Sequence, residues 1–422
     1  MMESILKWVE EKFMPPMAAL ANQRHLRAIR DGIVGTLPLI IVGSFFLIIA
    51  SPPVKSWADA VAPYAGQILI PFRLSVGLMA LYATYGIGYS LAKSYDIDPV
   101  SGGLLSLAAF IMTNIPQNIK DLGWTLPMGN LGGAGLFVAI LMAFFAVEVQ
   151  RFLYQKNIKI TMPEGVPESV ARSFEALIPA AVIMIVVWVV RVMLGFDIQK
   201  FIMTVFSPLV TAGDTLIGVL VPILLITLLW SAGIHGVSVV GTMARPIWMT
   251  LLDANTQAAA AGAAILPHIA PEPFFQWFVW IGGSGATLSL VILMLFSKSK
   301  YLRNLGRVAI LPGICNINEP VIFGAPIMLN PILAIPFIVG PIVTGIISYL
   351  AMYFNLVARP YILAPWTLPA PIGAYLTTGG DWRAIVLCLI NIIITGIIYY
   401  PFFKAYERQM LAEEESDVQE EV

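Results

Sequence analysis

Asn316-Ile317-Asn318-Glu319-Pro320-Val321-Ile322-Phe323-Gly324-Ala325-Pro326 sets one carboxylate between an asparagine and a proline, with apolar sequence on both sides. A charge in that setting is costly, about 2.5–3.5 kcal/mol at the centre of a membrane helix on insertion scales. Pro320 and Pro326 have no backbone donor, and each interrupts a helix. Irregular backbone at membrane depth survives where it is buried in protein or lines a wet cavity. The stretch therefore predicts a re-entrant loop with Glu319 at its tip, facing a site, in preference to a surface turn with a solvated glutamate.

The rest of the chain supplies the membrane that this reading needs. Hydrophobic residues make up 58% of the 422 residues and charged residues 12%, against about 25% charge in a soluble domain. No long mixed-charge stretch separates the apolar segments, so a polytopic membrane protein is expected. The net charge of −1 gives no reason to expect nucleic acid. Cys315 and Cys388 lie in apolar surroundings and form neither a disulfide pattern nor a metal spacing. No metal or cofactor is expected. The start is not a cleavable signal peptide: Ile5 to Met14 is amphipathic, without an apolar central run, and reads as a helix lying on the membrane surface.

Segment lengths predict an all-α protein of about ten transmembrane helices with two re-entrant hairpin loops in the C-terminal half. The first-half spans are read near 33–50, 72–91, 100–114, 133–152 and 175–194. The second-half spans are read near 215–230, 246–266, 274–296, 332–353 and 384–403. Residues 1–195 are expected to form a scaffold and residues 196–404 a transport half. Residues 405–422 are expected to be an acidic, solvated tail, since Glu413, Glu414, Glu415, Asp417, Glu420 and Glu421 crowd it. With the N-terminus inside, most of the 24 basic residues fall on the inner side, which predicts cytoplasmic termini. The Ala-rich span at 246–266 is the weakest, and its loss would invert every later segment.

Two broken segments, around Glu319 and around Trp366 in the run Pro360, Pro365, Pro369, Pro371, point to a transport site at mid-membrane depth. His235 follows directly on an apolar span between Gly233 and Gly236. It is either a helix-end histidine bonded to the backbone, or a ligand for a sugar hydroxyl or a partner for Glu319. His25 and His268 are read as structural. Trp230 and Trp366 lie beside the interrupted segments and would suit the C–H face of a sugar, whereas Trp382 is read as an interfacial anchor. One acid, one histidine, Asn316, Asn318 and aromatics suit an uncharged polar solute. A cation would ask for more carboxylates, and an anion for buried arginine.

These residues, taken in order, resemble a known family. Gln23 to Gly32, Pro167 to Pro179, Gly233-Ile234-His235-Gly236, Gly282 to Thr287, Asn318-Glu319-Pro320 with Phe323, Gly324 and Pro326, and Ala364-Pro365-Trp366-Thr367 together resemble the membrane (IIC) component of bacterial phosphotransferase-system sugar permeases, in the lactose/cellobiose/chitobiose group. The resemblance covers nearly the whole chain. It implies a homodimer in the bacterial inner membrane, held by the N-terminal spans, with the C-terminal part moving as an elevator for alternating access. It implies that His235 and Glu319 hold the sugar 6-hydroxyl; Asn318, Trp230 and Trp366 are placed near the sugar by their own chemistry and position. The implied substrate is a β-linked disaccharide, cellobiose or diacetylchitobiose ahead of lactose. The implied phosphoryl donor is a phosphocysteine on IIB, with IIA upstream. Neither Cys315 nor Cys388 matches that cysteine, so IIB is expected on another polypeptide. Two competing readings are an ion-coupled sugar symporter with Glu319 as proton carrier, and a membrane-embedded enzyme that does not transport.

Overall fold

The computed structural model of the chain describes residues 19, 23–50, 55–163, 165–325, 327 and 330–420. The amphipathic segment expected at 5–14, the Pro52-Pro53 loop and Pro326 lie outside the described residues. The chain is helical almost throughout; a short antiparallel hairpin, Gln117–Ile119 against Gly123–Thr125, interrupts the loop around Trp124. Among the described residues, six helices are long and apolar enough to cross a membrane, and a seventh if Ile198–Gly213 and Leu216–Ser231 count as one span. This is a multi-pass, all-α membrane protein.

Two compact units divide the chain. One comprises Ala21–Phe46 and Gly66–Thr211; the other comprises Leu47–Ala65 and Ala212–Val422, with the N-terminal residues. In the first, helices Met79–Ser94, Pro99–Met112 and Leu136–Gln155 pack as a trio. Small residues let them approach: a Cβ on Gly102 would collide with that of Ala92. Close backbone approach is how membrane helices gain contact when lipid is as apolar as leucine. The Asp98 carboxylate caps the second of these helices, accepting the Ser101 N–H at 2.8 Å.

The same unit has a polar corner. The His25 Nε2 lies 2.9 Å from Glu148 Oε1, the Tyr95 hydroxyl donates to the same oxygen, and Arg151 reaches Glu148 Oε2 at 3.2 Å. His25 is structural, as its place beside the first span suggested.

The second unit departs more from the expected pattern. The single span expected at 274–296 is two helical pieces. One runs through Glu272–Phe274 and the π-helical turn Phe275–Val279, and the other is Leu288–Leu295. The break between them is Gly282 to Thr287, where Gly282, Gly283 and Gly285 all have positive φ. Glycine is the residue that adopts this conformation without strain. Long buried side chains tie the break to the last helix. The Tyr399 hydroxyl donates to Gly285 O at 2.8 Å, Ser289 to Thr395 at 3.1 Å, and Asn391 Nδ2 to Phe278 O at 2.9 Å.

The acidic tail differs from expectation. The last helix runs without interruption over Trp382–Glu420, well past the apolar residues. Its carboxylates find partners on a helix that hydropathy did not mark, Lys300–Ile314. Glu414 accepts the Ser299 hydroxyl at 2.7 Å and the N–H of Tyr301 at 2.9 Å. These are donors at a helix N-terminus, which have no intrahelical acceptor and favour negative charge.

Candidate functional site

All five residues singled out for the sugar belong to the second unit. Trp230 is near the end of Leu216–Ser231, and His235 is the N-cap of Gly236–Ala260. Between them the chain turns through Gly233, with φ +85°. The turn is tight because a side chain at Gly236 would collide with the Ile226 carbonyl. His235 Nδ1 accepts the Ser238 N–H at 3.2 Å and meets the Ser238 hydroxyl at 3.0 Å. One ring nitrogen is thus committed to capping, and the exposed ring lies 4.3 Å from the Trp230 ring, inclined at 44°. Trp230 itself is 4% exposed, so it offers no broad open face. Its indole Nε1 is buried without an acceptor among the described residues. A buried donor left this way costs about 1–3 kcal/mol until something accepts from it.

The Glu319 stretch is locked from behind. Asn316 has φ +61°, and its side chain reaches three backbone groups. Oδ1 accepts the Gly282 N–H at 2.9 Å, and Nδ2 donates to Trp366 O at 2.9 Å and Leu368 O at 3.0 Å. Asn318 is buried and donates from Nδ2 to Ser284 O at 2.6 Å, against Gly283, where any Cβ would collide with it. Both asparagines therefore bind the glycine break, and Asn316 adds the Pro-rich run. Glu319 then begins the short helix Glu319–Gly324 with Pro320 at its second position. Proline is tolerated there because that N–H has no intrahelical partner in any case. The Glu319 side chain is exposed, and among the described residues no hydrogen bond or ion pair engages its carboxylate. No such contact joins it to His235 either.

Trp366 is 48% exposed, so of the two tryptophans it is the one with an open face. Its carbonyl, rather than its ring, is what the Asn316 tie uses. His268, read as structural, is so: its Nδ1 lies 3.0 Å from Asp214 Oδ2, and Asp214 Oδ1 also accepts the N–H groups of Ile269 and Ala270 at 2.8 Å.

One pair escaped the sequence reading. Arg245 and Glu272 approach to 3.7 Å, both largely shielded, and the Arg245 Nε has no acceptor among the described residues. The signal was available: two opposite charges in otherwise apolar segments are expected to pair. Neither stands in a recognisable motif, and 27 residues separate them, so only the folded chain shows that they meet.

The geometry holds an open carboxylate, a capped imidazole and an exposed indole on broken segments, with no group of metal-ligating side chains among the described residues. That suits hydrogen bonding to a neutral polyol. Comparison with known proteins points the same way. A family model described as "Phosphotransferase system, EIIC" matches residues 30–341. The chain is 42% identical to the cellobiose-specific EIIC component of Geobacillus stearothermophilus, over 99% of this chain and 97% of that one. It is 41% identical to the lichenan permease IIC component of Bacillus subtilis (strain 168), over 98% and 96%. The crystal structure of ChbC, the IIC component of an N,N'-diacetylchitobiose-specific phosphotransferase system, matches with a TM-score of 0.92 at 39% identity, covering 97% of this chain and 99% of that one. With the family model spanning most of the chain and these relatives matching it almost end to end, the chain belongs to the EIIC family of phosphotransferase-system sugar permeases.

Proposed function

We propose that this permease carries a β-linked disaccharide, a cellobiose-type β-glucoside first and diacetylchitobiose second, and presents its 6-hydroxyl to a separate phosphorylated IIB. Glu319 accepts the hydrogen bond of that hydroxyl. In the transfer step the sugar 6-oxygen attacks the phosphorus of the IIB phosphocysteine. The O–P bond forms, the S–P bond breaks with the thiolate leaving, and the hydroxyl proton passes to Glu319. His235 contacts the sugar or orients Glu319, Asn318 holds the loop, Trp366 stacks on the sugar face, and Trp230 Nε1 donates to a sugar oxygen.

The observation that carries this reading is the open Glu319 carboxylate, set on a short helix whose two preceding asparagines are spent on backbone. A carboxylate with no partner among the described residues, set on a rigid base, is what a ligand-binding acid requires. The sugar class is taken from the relatives, whose substrates are β-linked. The symporter reading is not favoured, since the chain belongs to a phosphotransferase family.

The wider reading has ten crossings with the Glu319 and Trp366 segments re-entrant and both termini cytoplasmic. A homodimer is held by residues 1–195, and residues 196–404 move as an elevator. IIA acts upstream of IIB. Vesicles containing this chain, loaded with already phosphorylated IIB, test it. Labelled cellobiose should accumulate as its 6-phosphate only when IIB is present. Accumulation of unmodified sugar without IIB would overturn it in favour of ion coupling.

A further inference from the structure

The Gln23 to Gly32 stretch is a sequence motif that the sugar site leaves unexplained. Most of its side chains are committed within the first unit. Gln23 Oε1 accepts the Leu26 N–H at 2.7 Å, and His25 meets Glu148. Arg24 donates to Ser94 O at 3.2 Å and lies 4.5 Å over the Tyr95 ring. Arg30 pairs with Asp31 at 2.8 Å, and Asp31 also accepts the Ser90 hydroxyl at 3.3 Å. Arg27 is the exception. Its guanidinium is exposed and meets neither acceptor nor carboxylate among the described residues, and the same holds for Lys93 on the facing helix.

Arg27 and Lys93 line one cavity of 410 Å³ with Arg24, Asp31, Ser90 and Ser94. Its single carboxylate is already held by Arg30, so positive charge is in excess. The adjoining cavity of 480 Å³, which shares Lys93 with the first, makes the contrast. There Lys159 pairs with Glu175 at 2.8 Å and Arg172 with Asp98 at 3.3 Å, and carboxylates answer the cations. Location narrows the ligand. The cavity lies where Arg24 at the start of one span meets Ser94 at the end of another, and the ends of spans lie at a membrane surface.

We propose that this cavity binds the phosphodiester headgroup of an anionic membrane lipid, with Arg27 and Lys93 as its principal ligands and the Arg24 guanidinium assisting. Basic pockets between spans attract anionic headgroups, and each cation contributes separately. Arginine's planar fork suits two phosphate oxygens, and lysine adds a point charge. A zwitterionic headgroup brings its own cation into the positive cavity and is disfavoured. The proposal is independent of the sugar assigned to this permease.

The test is equilibrium binding of labelled short-chain phosphatidylglycerol to the purified full chain in neutral detergent. Unlabelled phosphatidylglycerol, phosphatidylcholine and inorganic phosphate serve as competitors. One saturable site per chain is expected, displaced by phosphatidylglycerol but not by phosphatidylcholine, and weakened by salt. Arg27→Gln with Lys93→Gln should weaken binding about tenfold or more, and Arg27→Lys with Lys93→Arg should retain most of it. Lys159→Gln, in the adjoining cavity, should stay within about twofold. Equal competition by phosphatidylcholine in the unaltered chain overturns the proposal without any variant. Displacement by millimolar phosphate with no preference among lipids overturns the lipid assignment in favour of a soluble phosphate. Undiminished binding by the double glutamine variant overturns the site.

Discussion

Glu407 accepts the hydroxyl hydrogen of Ser297 at 2.7 Å, across 110 residues of sequence. The same oxygen takes the N–H of Lys298 at 2.8 Å, while the other meets the Lys404 ammonium at 2.6 Å. Glu407 is 3% exposed, so water cannot replace it. Glu407→Ala strands these donors, and a hydrogen bond to a charged group contributes about 1.5–3 kcal/mol. The melting temperature in detergent should fall clearly for Glu407→Ala and less for Glu407→Gln, which keeps an acceptor. Glu414→Ala, which removes the cap on Lys300–Ile314, should cost about 1 kcal/mol. Unchanged melting in all three would mean the tail helix is not docked.

Asn316 offers a cleaner test of what supports the sugar loop. Asn316→Ala loses its three backbone ties and puts at φ +61° a residue without asparagine's tolerance of left-handed backbone, a conformation that costs about 1–2 kcal/mol. Asn316→Gly loses the ties but tolerates the backbone. Both should weaken binding of labelled cellobiose by about tenfold or more, on the premise that about 1.4 kcal/mol of positioning is lost. If Asn316→Gly binds like the unaltered chain, the ties do not position Glu319.

Glu319→Gln keeps an acceptor and removes the charge. If Glu319 takes the 6-hydroxyl proton, phosphorylation should drop by at least about a hundredfold while sugar binding changes by less than about tenfold. Equal losses would reduce its role to holding the sugar. His235→Ala should depress the same step, and the double variant should lose less than the two singles combined if they act as a unit. Normal binding and normal phosphorylation in Glu319→Gln would remove both from the site.

Asp381, just before the last span, sets a dependence on acid. Burial raises its pKa, but hydrogen bonds from the Arg383 guanidinium at 2.8 Å and from the N–H groups of Ala358 and Arg383 outweigh this and hold the carboxyl below its ordinary value. A depressed folded-state pKa contributes stability that is complete above the unfolded value, about 3.9. That contribution is lost as pH falls through the folded value. Melting in detergent should therefore be insensitive to Asp381 titration near neutrality and decline in strong acid. Asp381→Asn should be less stable at neutral pH, with the gap closing as pH falls through the depressed folded-state value. A gap that stays constant with pH would show that the carboxylate's charge does not matter there.

Amino-acid order alone determined the membrane class, the first-half helices and the breaks around Glu319 and His235. These properties are local: a bilayer punishes unpaired backbone and stray charge wherever they occur, so proline, glycine and lone acids in apolar runs are legible one by one. The Glu319 stretch and the His235 turn follow from that logic, whereas the burial of Trp230 and the exposure of Trp366, which read alike, do not. What the tertiary structure decided were the partners. Glycines at 282–285 read as part of one span until Asn316, Asn318 and Tyr399 occupy the space and carbonyls of the break. Arg245 has no visible role until Glu272 arrives from another segment. The acidic tail has the composition of a solvated segment, and becomes a docked helix because unsatisfied N–H groups near residue 300 need acceptors that Glu407 and Glu414 supply. A donor's need is written in its own neighbourhood, whereas the identity of the distant acceptor depends on how the chain closes on itself.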